Sequence, residues 1–94
     1  MDTIRYIGLG DSTGYGIAAA ALARALDQAG QAVAWEPLVH GPGLGLGYET
    51  EPSGTGGPAA LRHLRDDAAV CATAVLHLVP EYYPHYAARE RARS

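Results

Sequence analysis

Apolar and polar positions alternate along this chain between two periods, one suited to strands and one to helices. Ile4 to Leu9 is short, rich in β-formers and followed at once by glycines, which predicts a buried parallel strand. Ile17 to Ala29 consists almost wholly of good helix formers, with Ala18, Leu22, Leu26 and Ala29 on one stripe. Gly30 stands where a helix C-cap glycine belongs. Ala32-Val33-Ala34-Trp35 resumes as a second strand, ended by Pro37 or shortly after Val39. Ala59 to Asp67 predicts a short second helix with Leu61 and Leu64 as its apolar contacts, and Ala74 to Val79 a third strand stopped by Pro80. The tail from Ala87 to Ser94 carries three arginines and one glutamate. It is expected to form a solvated helical turn or to fray, burying nothing.

Strands alternating with helices at this spacing predict an α/β fold, with about three strands in a parallel sheet, about two helices and right-handed crossovers. Between the second strand and the second helix, Gly41 to Pro58 holds seven glycines and three prolines and lacks hydrophobic periodicity. A mobile loop or lid is expected there, since structureless loops of this length are unusual without a function. No internal repeat is visible.

At 94 residues the chain is one small domain at most, with marginal stability expected from its size. About half the residues are apolar, yet that share leans on alanine and contains no Phe, so the core should be shallow. The net charge of −3 gives no electrostatic case for nucleic acid or a lipid surface. All seven basic residues are arginine, which excludes a Walker lysine, a Schiff-base lysine and a Tyr-x-x-x-Lys pair within this chain. A single cysteine, Cys71, excludes an internal disulfide, and its Ala and Val neighbours predict a buried structural thiol. No signal peptide or transmembrane segment is read, and a cytoplasmic protein is the expectation.

The run Gly8-Leu9-Gly10-Asp11-Ser12-Thr13-Gly14-Tyr15-Gly16 joins the first strand to the first helix. In an open parallel sheet, ligands bind beyond the carboxyl ends of the strands, where this loop lies. Glycines there let backbone N–H groups approach a phosphate, and the helix adds its positive end. The run departs from G-x-G-x-x-G, with Thr13 at the third glycine position, but satisfies G-x-x-x-G-x-G through Gly10, Gly14 and Gly16. Such glycines also serve simply to turn a chain tightly into a helix. Asp11 would repel a pyrophosphate, and suits a sugar hydroxyl or a helix cap better. Ser12 and Thr13 can act as N-caps.

A second notable run is His77-Leu78-Val79-Pro80-Glu81-Tyr82-Tyr83-Pro84-His85-Tyr86. It brings two histidines, a carboxylate and three tyrosines to the carboxyl end of the third strand. Tyrosines offer flat faces to sugar rings, while Glu81 and His77 can bond hydroxyls or move protons. The plainer reading is that the prolines shape a turn, the tyrosines cover the sheet edge and His77 is a satisfied core histidine. His77, Glu81 and His85 have i, i+4 spacing, but the prolines are expected to preclude the regular helix that a metal site needs.

Ser12-Thr13-Gly14-Tyr15-Gly16 with its alanine-rich helix, and Val75-Leu76-His77-Leu78-Val79-Pro80-Glu81-Tyr82-Tyr83-Pro84, together resemble the N-terminal part of a GT-B-fold glycosyltransferase of group 1 (family 4). The resemblance implies a single, incomplete, Rossmann-like three-layer domain over residues 1–94. It implies transfer of a sugar from a nucleotide-activated donor to a sugar or glycan acceptor, with no separate cofactor. Substrate contacts would come from Asp11, Ser12, Gly14, Tyr15, Gly16, His77, Glu81 and Tyr82. No catalytic residue carries over, since Val79-Pro80 stands where relatives place a catalytic histidine. The donor-binding second domain is not in this chain, so it is expected to be inactive alone, completed by a second domain, a partner chain or self-association. Two alternatives stay open. The glycine loop also resembles the NAD(P) loop of short-chain dehydrogenases, and the chain suits a non-catalytic α/β interaction module.

Overall fold

Strand β1 (Ile4–Leu9) is buried from Arg5 onward, so both of its faces are covered. Helices on either side of a parallel sheet produce that pattern. The computed structural model describes residues 2–10, 14–40, 48–51 and 59–93. After β1 come helix α1 (Gly14–Gln28), strand β2 (Val33–His40), strand β3 (Tyr48–Thr50) and a 3-10 helix (Ala59–Leu64). Strand β4 (Thr73–His77), a 3-10 turn (Pro80–Tyr82) and helix α2 (Tyr83–Arg93) complete the fold.

The four strands form one sheet in the order β3-β2-β1-β4. β1 is parallel to β2, with Ile7 beside Glu36, and parallel to β4, with Gly8 beside His77. β3 runs antiparallel to β2, with Leu38 opposite Thr50. The class is therefore α/β, and the expected three-stranded parallel sheet is corrected to a four-stranded mixed one. The extra strand comes from inside the Gly41–Pro58 segment, where three residues are too few to show a period of two. Apart from Glu51, the rest of that segment, with its expected loop or lid character, lies outside the described residues.

Period-two alternation sends Tyr6, Val33 and Trp35 to one face, under Ala19 and Ala23 of α1 and Leu61 of the 3-10 helix. Ile7, Leu9 and Leu38 face the other way and pack with Leu78 and Tyr86. The expected apolar stripe of α1 needs correction. Gly16, Ala19 and Ala23 are buried, whereas Ala18, Leu22 and Ala29 are exposed. The reason is close approach: a Cβ on Gly8 would lie 2.6 Å from the Ala19 Cβ, so this interface selects the smallest side chains. α1 ends as expected at Gly30, with φ +92°, while the Gln31 N–H donates to the Leu26 carbonyl at 3.0 Å.

The expected short helix is present as a 3-10 helix over Ala59–Leu64, with Leu61 buried and Leu64 partly so. One other expectation falls. The tail, described through Arg93, is neither frayed nor a single solvated turn: it ends the 11-residue α2, and its Arg89 and Arg93 donate to the buried Glu36. Pro80 and Pro84 open the turn and the helix, where a missing N–H costs nothing, so they start this segment instead of breaking it. Cys71 is half-buried, not buried. No helix among the described residues is long and apolar enough to cross a membrane.

Candidate functional site

From the central β1 the chain passes to α1 on one face, and from β4 it passes to α2 on the other. Strands leaving in opposite senses open a crevice at their carboxyl ends, the usual ligand position in such sheets. A wide-mouthed depression of about 350 Å³ lies at this edge, lined by Gly14, Tyr15 and Ala18 from the start of α1 and by His77 closing β4. It joins residues more than 60 positions apart because β1 sets α1 and β4 side by side.

His77 is held from beneath. Its Nδ1 lies 2.7 Å from the Tyr6 hydroxyl. Tyr6 is 2% exposed and leans against Trp35, with ring centroids 6.0 Å apart. Burial raises the Tyr6 phenol above its ordinary value, so the hydroxyl keeps its proton. Gly14 has nothing within 4 Å of where a Cβ would stand, and Tyr15 is 46% exposed. Among the described residues no arginine lines the depression, and apart from His77 and the Tyr15 phenol the side chains described there are apolar.

Gly14, Tyr15 and His77, all expected at the site, therefore meet. Gly16 is buried on the inner side of α1. Glu81 is exposed on the 3-10 turn, and Tyr82 packs with Leu78 and Tyr86 on the opposite face, so neither lines the depression. Asp11 and Ser12 lie outside the described residues. Gly10 is accounted for by packing, since a Cβ there would meet Pro37 at 2.9 Å.

A second cluster escaped sequence reasoning. Glu36, fully buried on β2, accepts hydrogen bonds from Thr50 of β3 and from Arg89 and Arg93 of α2. Arg5 of β1 lies beside it, with Glu90 within 3.4 Å of Arg5. Its signal was two unlike charges set inside apolar strands, answered by Arg89 and Arg93 at helical spacing. The cluster fixes α2 to the sheet, away from the depression.

Beside β4, whose outer edge pairs with no described strand, a cavity of about 230 Å³ is lined by residues including Cys71, Ala74, Leu76 and Ala87. No three His, Cys, Asp or Glu among the described residues converge as metal ligands. Comparison with known protein families, curated proteins and solved structures yields no match to this chain.

Proposed function

We propose that the chain is the N-terminal, acceptor-side segment of a GT-B-fold glycosyltransferase, with a Rossmann-like sheet, inactive without its donor-binding half. The reading is carried by one observation: the two stretches that bear the resemblance contribute Gly14, Tyr15 and His77 to a single depression. Support also comes from the parallel order β2-β1-β4 with a helix on each face, which suits the first half of a Rossmann-like domain. The sugar or glycan acceptor would lie over Tyr15 and His77, and the donor's phosphates near the first turn of α1. The open β4 edge and its adjoining cavity offer the place where a second domain, a partner chain or a second copy would continue the sheet.

Two measurements test this. Nucleoside diphosphate release from a panel of nucleotide sugars should be nil with the purified chain, and turnover by the chain alone would overturn its inactivity. In amide spectra, nucleotide sugars should shift Gly14, Tyr15 and Gly16. Silence toward every nucleotide sugar, with micromolar NADH binding seen in Trp35 fluorescence, would replace the transferase with a dinucleotide-binding fragment.

A further inference from the structure

The depression pairs an apolar floor with one oriented polar group. Tyr15 and Ala18 supply the floor, and the single titratable side chain on its wall among the described residues, besides the Tyr15 phenol, is His77. The His77 Nδ1 is engaged by Tyr6, whose buried hydroxyl retains its proton. When that hydroxyl donates to Nδ1, the neutral imidazole carries its own proton on Nε2. A fixed N–H donor beside an aromatic face is a poor match for two ligand classes. An anion on the Ala18 and His77 side, away from the first backbone N–H groups of α1, would lie against apolar walls with no guanidinium among the described residues to pair it. A purely aromatic ring would leave the histidine N–H without a partner.

We infer that this depression takes the ring of a neutral pyranoside, its C–H face laid on Tyr15 and Ala18 and one hydroxyl accepting from His77. Tyr6 is the positioning residue that sets the histidine tautomer. The inference rests on the acceptor reading above, and names the acceptor's chemical class and the group that reads it. Tyr6 itself touches no ligand: at 2% exposure it acts only through the imidazole.

The test uses the whole chain at about pH 8. Long-range ¹H–¹⁵N spectra should show His77 with its proton on Nε2. Methyl glucopyranoside at millimolar concentration should shift Ala18 and His77, and inorganic phosphate and phenol should leave those two residues unmoved. Tyr6→Phe keeps the ring packing but should lose the tautomer preference and weaken pyranoside binding roughly three- to tenfold, the equivalent of one hydrogen bond. Should that variant fold poorly, Tyr15→Ala removes an exposed floor residue and should lower the affinity without lowering the melting temperature. Phosphate or phenol shifting these residues in place of the pyranoside overturns the inference, as does unchanged affinity in both variants. Nucleotide-sugar shifts at Gly14 to Gly16 without pyranoside shifts at His77 would refute the inference and leave the transferase reading standing. The reverse pattern would support the inference and reduce the chain to a sugar-binding module.

Discussion

The Arg5 guanidinium and the Glu36 carboxylate stand 3.7 Å apart on neighbouring strands, and neither side chain reaches solvent. Glu36 is also bonded by Thr50, Arg89 and Arg93, while Arg5 donates to the Asp66 and Ala69 carbonyls. One buried carboxylate therefore ties β1, β2, β3 and α2 together. α2 needs that tie. Its only buried side chain is Tyr86, over whose ring the Arg89 guanidinium lies at 4.6 Å.

Glu36→Ala should be severely destabilising. It leaves Arg5 buried with Glu90 as its remaining carboxylate, and takes from Arg89 and Arg93 the buried one of the two carboxylates they share. Breaking a buried pair in this way costs about 3–5 kcal/mol. That is a large part of the roughly 5–15 kcal/mol that holds a domain folded. Urea unfolding at pH 7 should show a much lower midpoint, or no folded baseline. Asp67→Asn is the control: its side chain is 56% exposed on Arg65, so the loss should stay below about 1 kcal/mol. Equal losses in the two variants would contradict the account.

Acid should unfold the chain through the same carboxylate. Burial alone would raise the Glu36 carboxyl, but the Thr50 hydrogen bond and the Arg89 and Arg93 guanidiniums outweigh it and hold it below the usual carboxylate range. A carboxyl more acidic when folded stabilises the fold fully above its unfolded value, about 4.3. That stabilisation is lost as pH falls through the lower folded value. Asp67, bonded by Arg65, is lowered too but from an exposed position. Stability from urea midpoints should be level between about pH 7 and 5 and fall below about pH 4. The gap between the parent chain and Glu36→Gln should narrow over the same acid range. A gap constant with pH would remove Glu36 from the explanation.

Much of the fold was legible because β1, α1, β2 and β4 each carry enough residues to display a period. β3, with three residues, does not. α2 was misread because its charges look solvated until Arg5 and Glu36 are known to face them, and a buried charge in one strand does not name its partner. The stripe on α1 holds at Leu26, which packs on the core, but was misread at Ala18, Leu22 and Ala29, because the close approach at Gly8 turns the small residues Gly16, Ala19 and Ala23 inward. That Gly14, Tyr15 and His77 meet in one depression was legible because parallel strands bring their carboxyl ends to one edge. Tyr6 was not: its contact with His77 spans 71 positions and exists only because β4 pairs with β1.

Gly8 and Gly14 should separate under substitution by alanine. At Gly8 the new methyl would meet Ala19 at 2.6 Å and the Trp35 ring at 3.3 Å, prising α1 from the sheet. A loss of about 1–3 kcal/mol is expected, as for other overpacked cores. At Gly14 the methyl meets nothing within 4 Å, in the first turn of α1, where alanine is the better helix former. Gly14→Ala should melt no lower than the parent, yet it adds a methyl to the wall of the depression and should weaken pyranoside binding. Matching melting temperatures for the two variants would rule out a packing role for Gly8.

Salt should distinguish the two helices. α1 is seated by Gly16, Ala19 and Ala23 against Trp35 and Tyr6, contacts without charge that added salt does not screen. α2 is held by Tyr86 and by Arg89 and Arg93, whose side chains are 24% and 35% exposed where they meet Glu36. Raising NaCl from 0.1 to 1 M shortens the screening length from about 10 to about 3 Å, enough to weaken such part-exposed pairs. Amide exchange across Tyr83–Arg93 should therefore quicken by roughly threefold to tenfold, a shift of about 1 kcal/mol in local opening. Exchange in α1 should stay level or slow. If both helices respond alike, the charges on α2 do not anchor it, and the buried face of Tyr86 must carry the docking alone.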